Sequence, residues 1–195
     1  MSVPISTAVE GLVDEAVARK VLAHVGAVPG VIYGTKGKSH LRSKIDGYNR
    51  AARHAPWLVL VDLDQDAACA SALRNEWVRE VAPLLCFRIV VREIEAWLMA
   101  DATSLAAFLR VSVSRVPSDP ESIVRPKDAL VQLARQSKRI ALRRDMVPRP
   151  GSGRAVGPAY TSRLIEYVDD QWRPEIAARS AESLRRALAC LRRLV

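Results

Sequence analysis

The sequence predicts an α/β fold: a four-stranded parallel sheet between helices, continued by a mostly helical C-terminal extension. Three observations carry that expectation. Apolar runs such as WLVLV (57–61) and LLCFRIVV (84–91) lack polar alternation, the mark of strands covered on both faces. Segments with apolar residues three and four apart lie between these runs, as the crossover helices of a parallel sheet would. After Glu95 the alternation of strand and helix stops, which divides the chain into a core over 1–100 and a basic helical extension over 101–195.

VPISTAV (3–9) predicts the first strand. LVDEAVARKVLAHVG follows as a helix, with Val13, Val17, Val21, Leu22 and Val25 on one face and Gly26 past its end. VPGVIYG (28–34) is the second strand. SHLRSKIDGYNRAAR is a helix entered through Ser39, with Leu41, Ile45 and Tyr48 inward. WLVLV is the third strand, a helix from about Ala67 to Val81 follows, and Leu84–Val91 is the fourth. EAWLMAD and TSLAAFLR have helical character, and a Pro-containing loop leads into DALVQLARQSKRIALRR. DMVPRPGSGRAVGPAY is a long loop, a class that often carries function. Two helices close the chain, about Ala159–Val168 and ARSAESLRRALACLRRL. The second has Ser180 as its cap and Leu184, Leu188, Leu191 and Val195 on one face.

At 195 residues a core needs no disulfide or metal staple. The three cysteines are odd in number and lack CxxC spacing, which argues for a reduced, cytoplasmic setting and against a zinc site. No signal peptide and no membrane span are expected. His24, His40 and His54 show no metal spacing. Residues 1–109 hold 12 Lys+Arg and 12 Asp+Glu, while residues 110–195 hold 18 and 9, so the whole +9 lies in the second stretch. That asymmetry suits a polyanion, nucleic acid first; a bias toward arginine (24 Arg against 6 Lys) would produce the same excess.

In an open parallel sheet, ligands bind beyond the carboxyl ends of the strands. Two acidic clusters fall there: Glu10, Asp14 and Glu15 after strand one, and Asp62, Asp64 and Asp66 after strand three. If those strands are neighbours, Glu10, Asp62 and Asp64 converge, and Asp14, one helical turn on, points to the same place. Two charges 4 Å apart cost roughly 4 kcal/mol at an effective dielectric near 20, so the group needs protons, a cationic partner or a metal. Oxygen ligands without His or thiolate favour Mg²⁺ or Mn²⁺, which suit a phosphate substrate. Each acid also has a purely structural use. Asp62 and Asp64 suit a turn, and Glu15 and Asp66 suit a first helical turn.

A glutamate after strand one in VEG, followed by D-x-D after a later strand, resembles the Toprim domain of type IA and type II topoisomerases, bacterial primases, recombination proteins and the nucleases of the overcoming-lysogenization-defect (OLD) type. The resemblance covers about residues 3–100 and implies a four-stranded parallel sheet. It also implies a glutamate in acid/base chemistry, here Glu10, and D-x-D aspartates that hold Mg²⁺, here Asp62 and Asp64. The OLD-type variant is closer, with a second acid four residues after the first; here that is Asp14, where glutamate is more usual. An acid after strand four would help hold a second metal, which points to Glu95 rather than Glu93. EIEAWLMAD, RPKDAL and VGPAYTSRLIEYV also resemble a family of small bacterial and archaeal Toprim-like proteins, some of which neighbour ATPase genes. A basic group near the scissile phosphate is implied too, with Lys127 in RPKD and Arg154 in GSGRAVG as candidates. Lys36 and Lys38 lie in YGTKGKSH, a partial echo of a phosphate loop but no Walker A.

The preferred expectation is therefore a Mg²⁺-dependent nuclease acting on DNA or RNA, in genome defence or repair with an ATPase partner. Glu10, Asp62, Asp64 and Lys127 are its expected catalytic residues, and Glu10, Asp14, Asp62, Asp64 and Glu95 its metal ligands. The alternatives are a non-catalytic module that binds nucleic acid or a partner, and a phosphate-transfer enzyme on a small molecule. The sequence leaves the oligomeric state open. Aromatic residues make up only 5%, a poor basis for recognition by base stacking.

Overall fold

The computed structural model describes residues 4–195, so Val3, expected to open the first strand, lies outside the described residues. Strands β1 (Pro4–Val9), β2 (Val28–Gly34), β3 (Trp57–Asp62) and β4 (Leu85–Val90) form one sheet. Its order is β2-β1-β3-β4 and every pairing is parallel. The central pair, β1 and β3, runs in register from Ser6 opposite Trp57 to Ala8 opposite Val59. Helices α1 (Leu12–His24), α2 (Lys38–Ala51) and α3 (Ala70–Trp77) lie between successive strands. The chain is thus an α/β fold with a helical C-terminal part, as expected.

Side chains alternate along each strand, so an unbroken apolar run supplies both faces at once. Leu58 and Leu60 of β3, with Ile5, Val9 and Val90, pack on the side of α1 and the C-terminal helices. Val59 and Val61, with Ala8, Phe87 and Ile89, pack against α2 and α3. On α1 the expected face is buried at Val17, Val21 and Leu22 and partly buried at Val13 and Val25. At the end of β2, Gly34 has φ of 102°, and a Cβ there would lie 2.0 Å from the Val9 carbonyl oxygen, so no other residue fits between β2 and β1.

Several boundaries differ from the sequence expectation. Helix α2 starts at Lys38, ahead of Ser39, with Gly37 as its unassisted cap. Helix α3 is much shorter than Ala67–Val81, because the chain beyond Trp77 is bound to α2. The Asn49 side chain accepts from the Ala82 N–H at 2.8 Å and donates to the Glu80 carbonyl at 2.8 Å. DALVQLARQSKRIALRR is two helices, α6 (Pro126–Arg135) and α7 (Ile140–Met146). Between them the buried Ser137 hydroxyl accepts from the Arg139 N–H at 3.0 Å, offering the backbone an alternative to continued helix.

The C-terminal helices are built around α4 (Ile94–Ala100), whose seven residues are all buried. Helices α5 (Ala102–Leu109), α8 (Tyr160–Asp170), α9 (Pro174–Ala177) and α10 (Glu182–Leu191) complete the fold. Trp97 on α4 donates its indole N–H to the Ser183 hydroxyl at 2.7 Å, and Trp172 donates to the Trp97 carbonyl at 3.1 Å. Asp101, fully buried, accepts from the Ser104 N–H and takes both arms of Arg173 at 2.9 and 2.7 Å. Ser180 does not cap α10, which begins at Glu182; Glu121 accepts from the Glu182 and Ser183 N–H groups at 2.9 and 3.0 Å instead. Val195, expected on the inward face, is exposed because α10 ends at Leu191. Among the described residues, no helix is long and apolar enough to cross a membrane.

Truncation at Trp97 should therefore loosen both parts of the chain together. Trp97→Ala is expected to lower stability by about 3–5 kcal/mol. Urea unfolding would read this as a lower midpoint in a single transition.

Candidate active site

The carboxyl edge of the sheet collects acids from three of its four strands. Beyond β1, Glu10 turns its carboxylate toward β3, where Oε1 accepts from the Asp62 N–H at 2.9 Å. The adjacent Gly11 opens α1, and Asp14 projects from the first turn. A Cβ on Gly11 would stand 3.1 Å from the Asp14 carboxylate, so glycine leaves that group its space. Asp62 is the last residue of β3. Beyond β4, the Glu95 carboxylate is carried inward by buried α4.

Asp14, Asp62, Glu95, Lys127, Tyr160 and Thr161 line one cavity of about 450 Å³, with apolar wall from α1 and from Val156 of the 147–159 loop. Asp14 is 7% exposed and Glu95 only 2%. Tyr160 donates its hydroxyl to Glu95 Oε1 at 3.2 Å. Lys127 reaches Glu93 at 3.4 Å and Glu95 at 3.7 Å, while its backbone N–H is fixed by Glu93 Oε2 at 2.7 Å. Among the described residues, two buried carboxylate oxygens have no hydrogen-bond partner: Asp62 Oδ1 and Glu95 Oε2.

Burial pushes the Glu10 carboxyl up to about 7, against the pull of the Asp62 N–H and Lys38. Asp14 is pushed up to about 7 by burial and then by Glu10 and Glu95. Burial and the neighbouring acids Asp14, Glu95 and Glu10 hold Asp62 well above the usual carboxylate range, and burial raises Glu95 too. Burial alone would lower the Lys127 ammonium, yet Glu95, Glu93 and Asp62 raise it overall.

Asp64 does not join this cavity. The strand geometry that would put it on the same side as Asp62 ends at Asp62, and Asp64 itself adopts a left-handed φ of 50°. Its backbone is held by Arg92: the Asp64 N–H donates to the Arg92 carbonyl at 2.7 Å, and Arg92 Nη1 returns a bond at 3.0 Å. The carboxylate meets Lys38 at 2.8 Å, and Asp66 meets the same ammonium at 2.6 Å. Lys38 also donates to the Asp62 carbonyl at 2.5 Å, so it closes the acidic row on the β2 side as Lys127 closes it on the β4 side. Glu10 stands between the two groups, bonded to the Asp62 backbone. Lys36 is exposed, Arg154 does not line this cavity, and His24 lies near Glu175 on another part of the surface.

The chain matches no protein-family model, no curated protein and no solved structure.

Tyr160 follows the Gly- and Pro-rich loop and falls within VGPAYTSRLIEYV, yet the sequence gives no sign that its hydroxyl meets Glu95. Glu93 was passed over in favour of Glu95, yet it sets the position of Lys127. Among the described residues, no group of three or more His, Cys, Asp or Glu forms a ready metal cage. Mg²⁺ does not require one, since it binds through one or two carboxylates and completes its shell with water and phosphate oxygens. The two orphaned oxygens and the all-oxygen donor set fit such an ion.

The burial of these acids gives stability a definite pH dependence. Glu10 and Asp14 titrate near 7 in the folded chain and near their ordinary values of 4.5 and 3.8 when exposed. The folded state therefore keeps protons that the unfolded state has already released, and stability falls as pH rises through that window, then levels off above it. In chelating buffer, Asp62→Asn should raise Tm at about pH 8 and change it little at about pH 4, by roughly 2–4 °C per kcal/mol of repulsion relieved. A thermal melt of both proteins across pH checks this.

Proposed function

We propose that the chain is a metal-dependent phosphodiesterase acting on nucleic acid. One observation carries the reading: Asp62 and Glu95, each with a buried carboxylate oxygen that has no partner, line a single cavity together with a lysine. The adjacency of the β1 and β3 loops and the basic C-terminal half support it, and so does the Toprim resemblance of the VEG and D-x-D segments.

Asp62 and Glu95 would hold Mg²⁺ or Mn²⁺, with Asp14 beside them. When bound, the ion would supply Lewis-acid stabilisation of charge on the phosphoryl oxygens. Tyr160 keeps Glu95 oriented by occupying one of its oxygens and leaving the other free. Lys127 brings a fixed positive charge toward a non-bridging phosphate oxygen, where negative charge gathers as the attacking oxygen bonds to phosphorus. Asp14, titrating near 7, accepts the proton of the attacking water at neutral pH. The bond from phosphorus to the leaving oxygen breaks, and that oxygen takes a proton from solvent. Glu10 does not line the cavity; it acts by fixing the Asp62 backbone. Asp64 serves the Lys38 pair.

Purified protein with Mg²⁺ or Mn²⁺ should cut DNA or RNA, and Asp62→Asn and Glu95→Gln should each lower the rate at least 100-fold. Equal cleavage by wild type and Asp62→Asn would overturn the proposal. Lys127→Met is expected to reduce kcat by roughly 10²–10³ with a smaller change in KM. Asp64→Asn should cost much less than Asp62→Asn, a contrast that separates this site from one built on both aspartates.

A further inference from the structure

The loop between α7 and α8 separates the acidic cavity from a second one of opposite character. Its base is closed by two hydrogen bonds, Gly157 N–H to the Met146 carbonyl and Ala159 N–H to the Asp145 carbonyl, both at 2.9 Å. Gly157 is required there, since a Cβ would lie 2.5 Å from the Asp145 carbonyl oxygen. Arg163 pins Asp145 from α8 at 2.7 Å. At the tip, the Ser152 N–H bonds the Arg149 carbonyl at 3.1 Å, and Gly151 and Gly153 have φ of 76° and 65°. This turn sets Arg149 and Arg154 around a cavity of about 430 Å³ that Ser152, Val156 and Pro158 complete.

No carboxylate lines this cavity, and among the described residues neither guanidinium is in a salt bridge. The other arginines of the neighbourhood are committed: Arg144 and Arg163 hold Asp145, and Arg163 also holds Glu166. Both arginines are exposed, and two guanidinium groups without a carboxylate partner on one cavity suit an anion, since guanidinium matches phosphate oxygens in a planar fork. Val156 belongs to the walls of both cavities, so the two spaces are adjacent. A site rich in carboxylates repels a polyanion, and an arginine pair next to it supplies the missing hold.

We propose that Arg149 and Arg154 form a subsite for a backbone phosphate of the nucleic-acid strand, next to the phosphate seated in the acidic cavity. The inference rests on the phosphodiester reading of that cavity for its substrate class. It makes the chain an enzyme of strands rather than of single diesters or nucleotides, with contacts that are indifferent to base sequence.

The test is fluorescence anisotropy of a labelled single-stranded oligonucleotide against the full chain in chelating buffer, where cleavage does not intervene. Wild type is compared with Arg149→Gln/Arg154→Gln and with Arg185→Gln/Arg186→Gln, arginines that pair with Glu182 on α10. The slope of log affinity against log salt should fall by about 0.7 in the first variant, the value for one lost phosphate contact on a single strand, and much less in the second. An unchanged slope in Arg149→Gln/Arg154→Gln, or an equal loss in both variants, would overturn the subsite. Inorganic phosphate that competes as well as an unlabelled oligonucleotide at equal phosphate concentration would overturn the strand as its ligand. Failure of the wild type to cut any diester with Mg²⁺ or Mn²⁺, with the slope loss intact, would instead remove the phosphodiesterase reading and support the subsite as a strand contact.

Discussion

Two parallel strands that lie side by side at the centre of a sheet must release their loops at the same edge. Here those strands are β1 and β3, and Glu10, Asp14 and Asp62 lie at that edge. Their pairing turns acids about fifty positions apart in the chain into neighbours, joined by the bond from the Asp62 N–H to Glu10. The remaining features of the site answer the electrostatic problem this creates. Lys38 and Lys127 stand at the two ends of the row, protons are held more tightly than usual, and two buried oxygens are left without a partner.

The same edge explains why the C-terminal half is more than an appendage. Helix α4 follows β4 directly and is buried on every side, so its polar groups must be satisfied by whatever encloses it. Trp172, Tyr167 and Ser183 do this from the later helices. Glu95 lies on the same helix, and the packing that hides Trp97 therefore also fixes where that carboxylate emerges. A core that positions a charged group in this way couples fold stability to site geometry.

The strands were legible in the sequence because burial on both faces demands unbroken apolar runs, and 57–61 supplies one. Helix α1 was legible for the opposite reason, since a single apolar stripe marks its buried face. What escaped depends on individual side-chain contacts that no pattern of residue types announces. The end of α3 is set by Asn49 from another helix, and the α6–α7 break by one buried serine hydroxyl. Asp64 parted from Asp62 because of a single left-handed residue tied to Arg92, which spacing alone does not disclose. Tyr160 lies in VGPAYTSRLIEYV, a segment that carries the resemblance, but nothing in that segment marks its hydroxyl as a partner of Glu95.

That Val156 lines both cavities has one more implication. Carboxylates line one of the adjoining spaces and arginines the other, so the local charge changes sign between them. Under the proposed function, a strand arriving from solvent would be drawn to the arginine side and turned away from the acid side until a divalent ion had entered there. Order of arrival, cation before scissile group, would then be imposed by the field itself, without any moving gate.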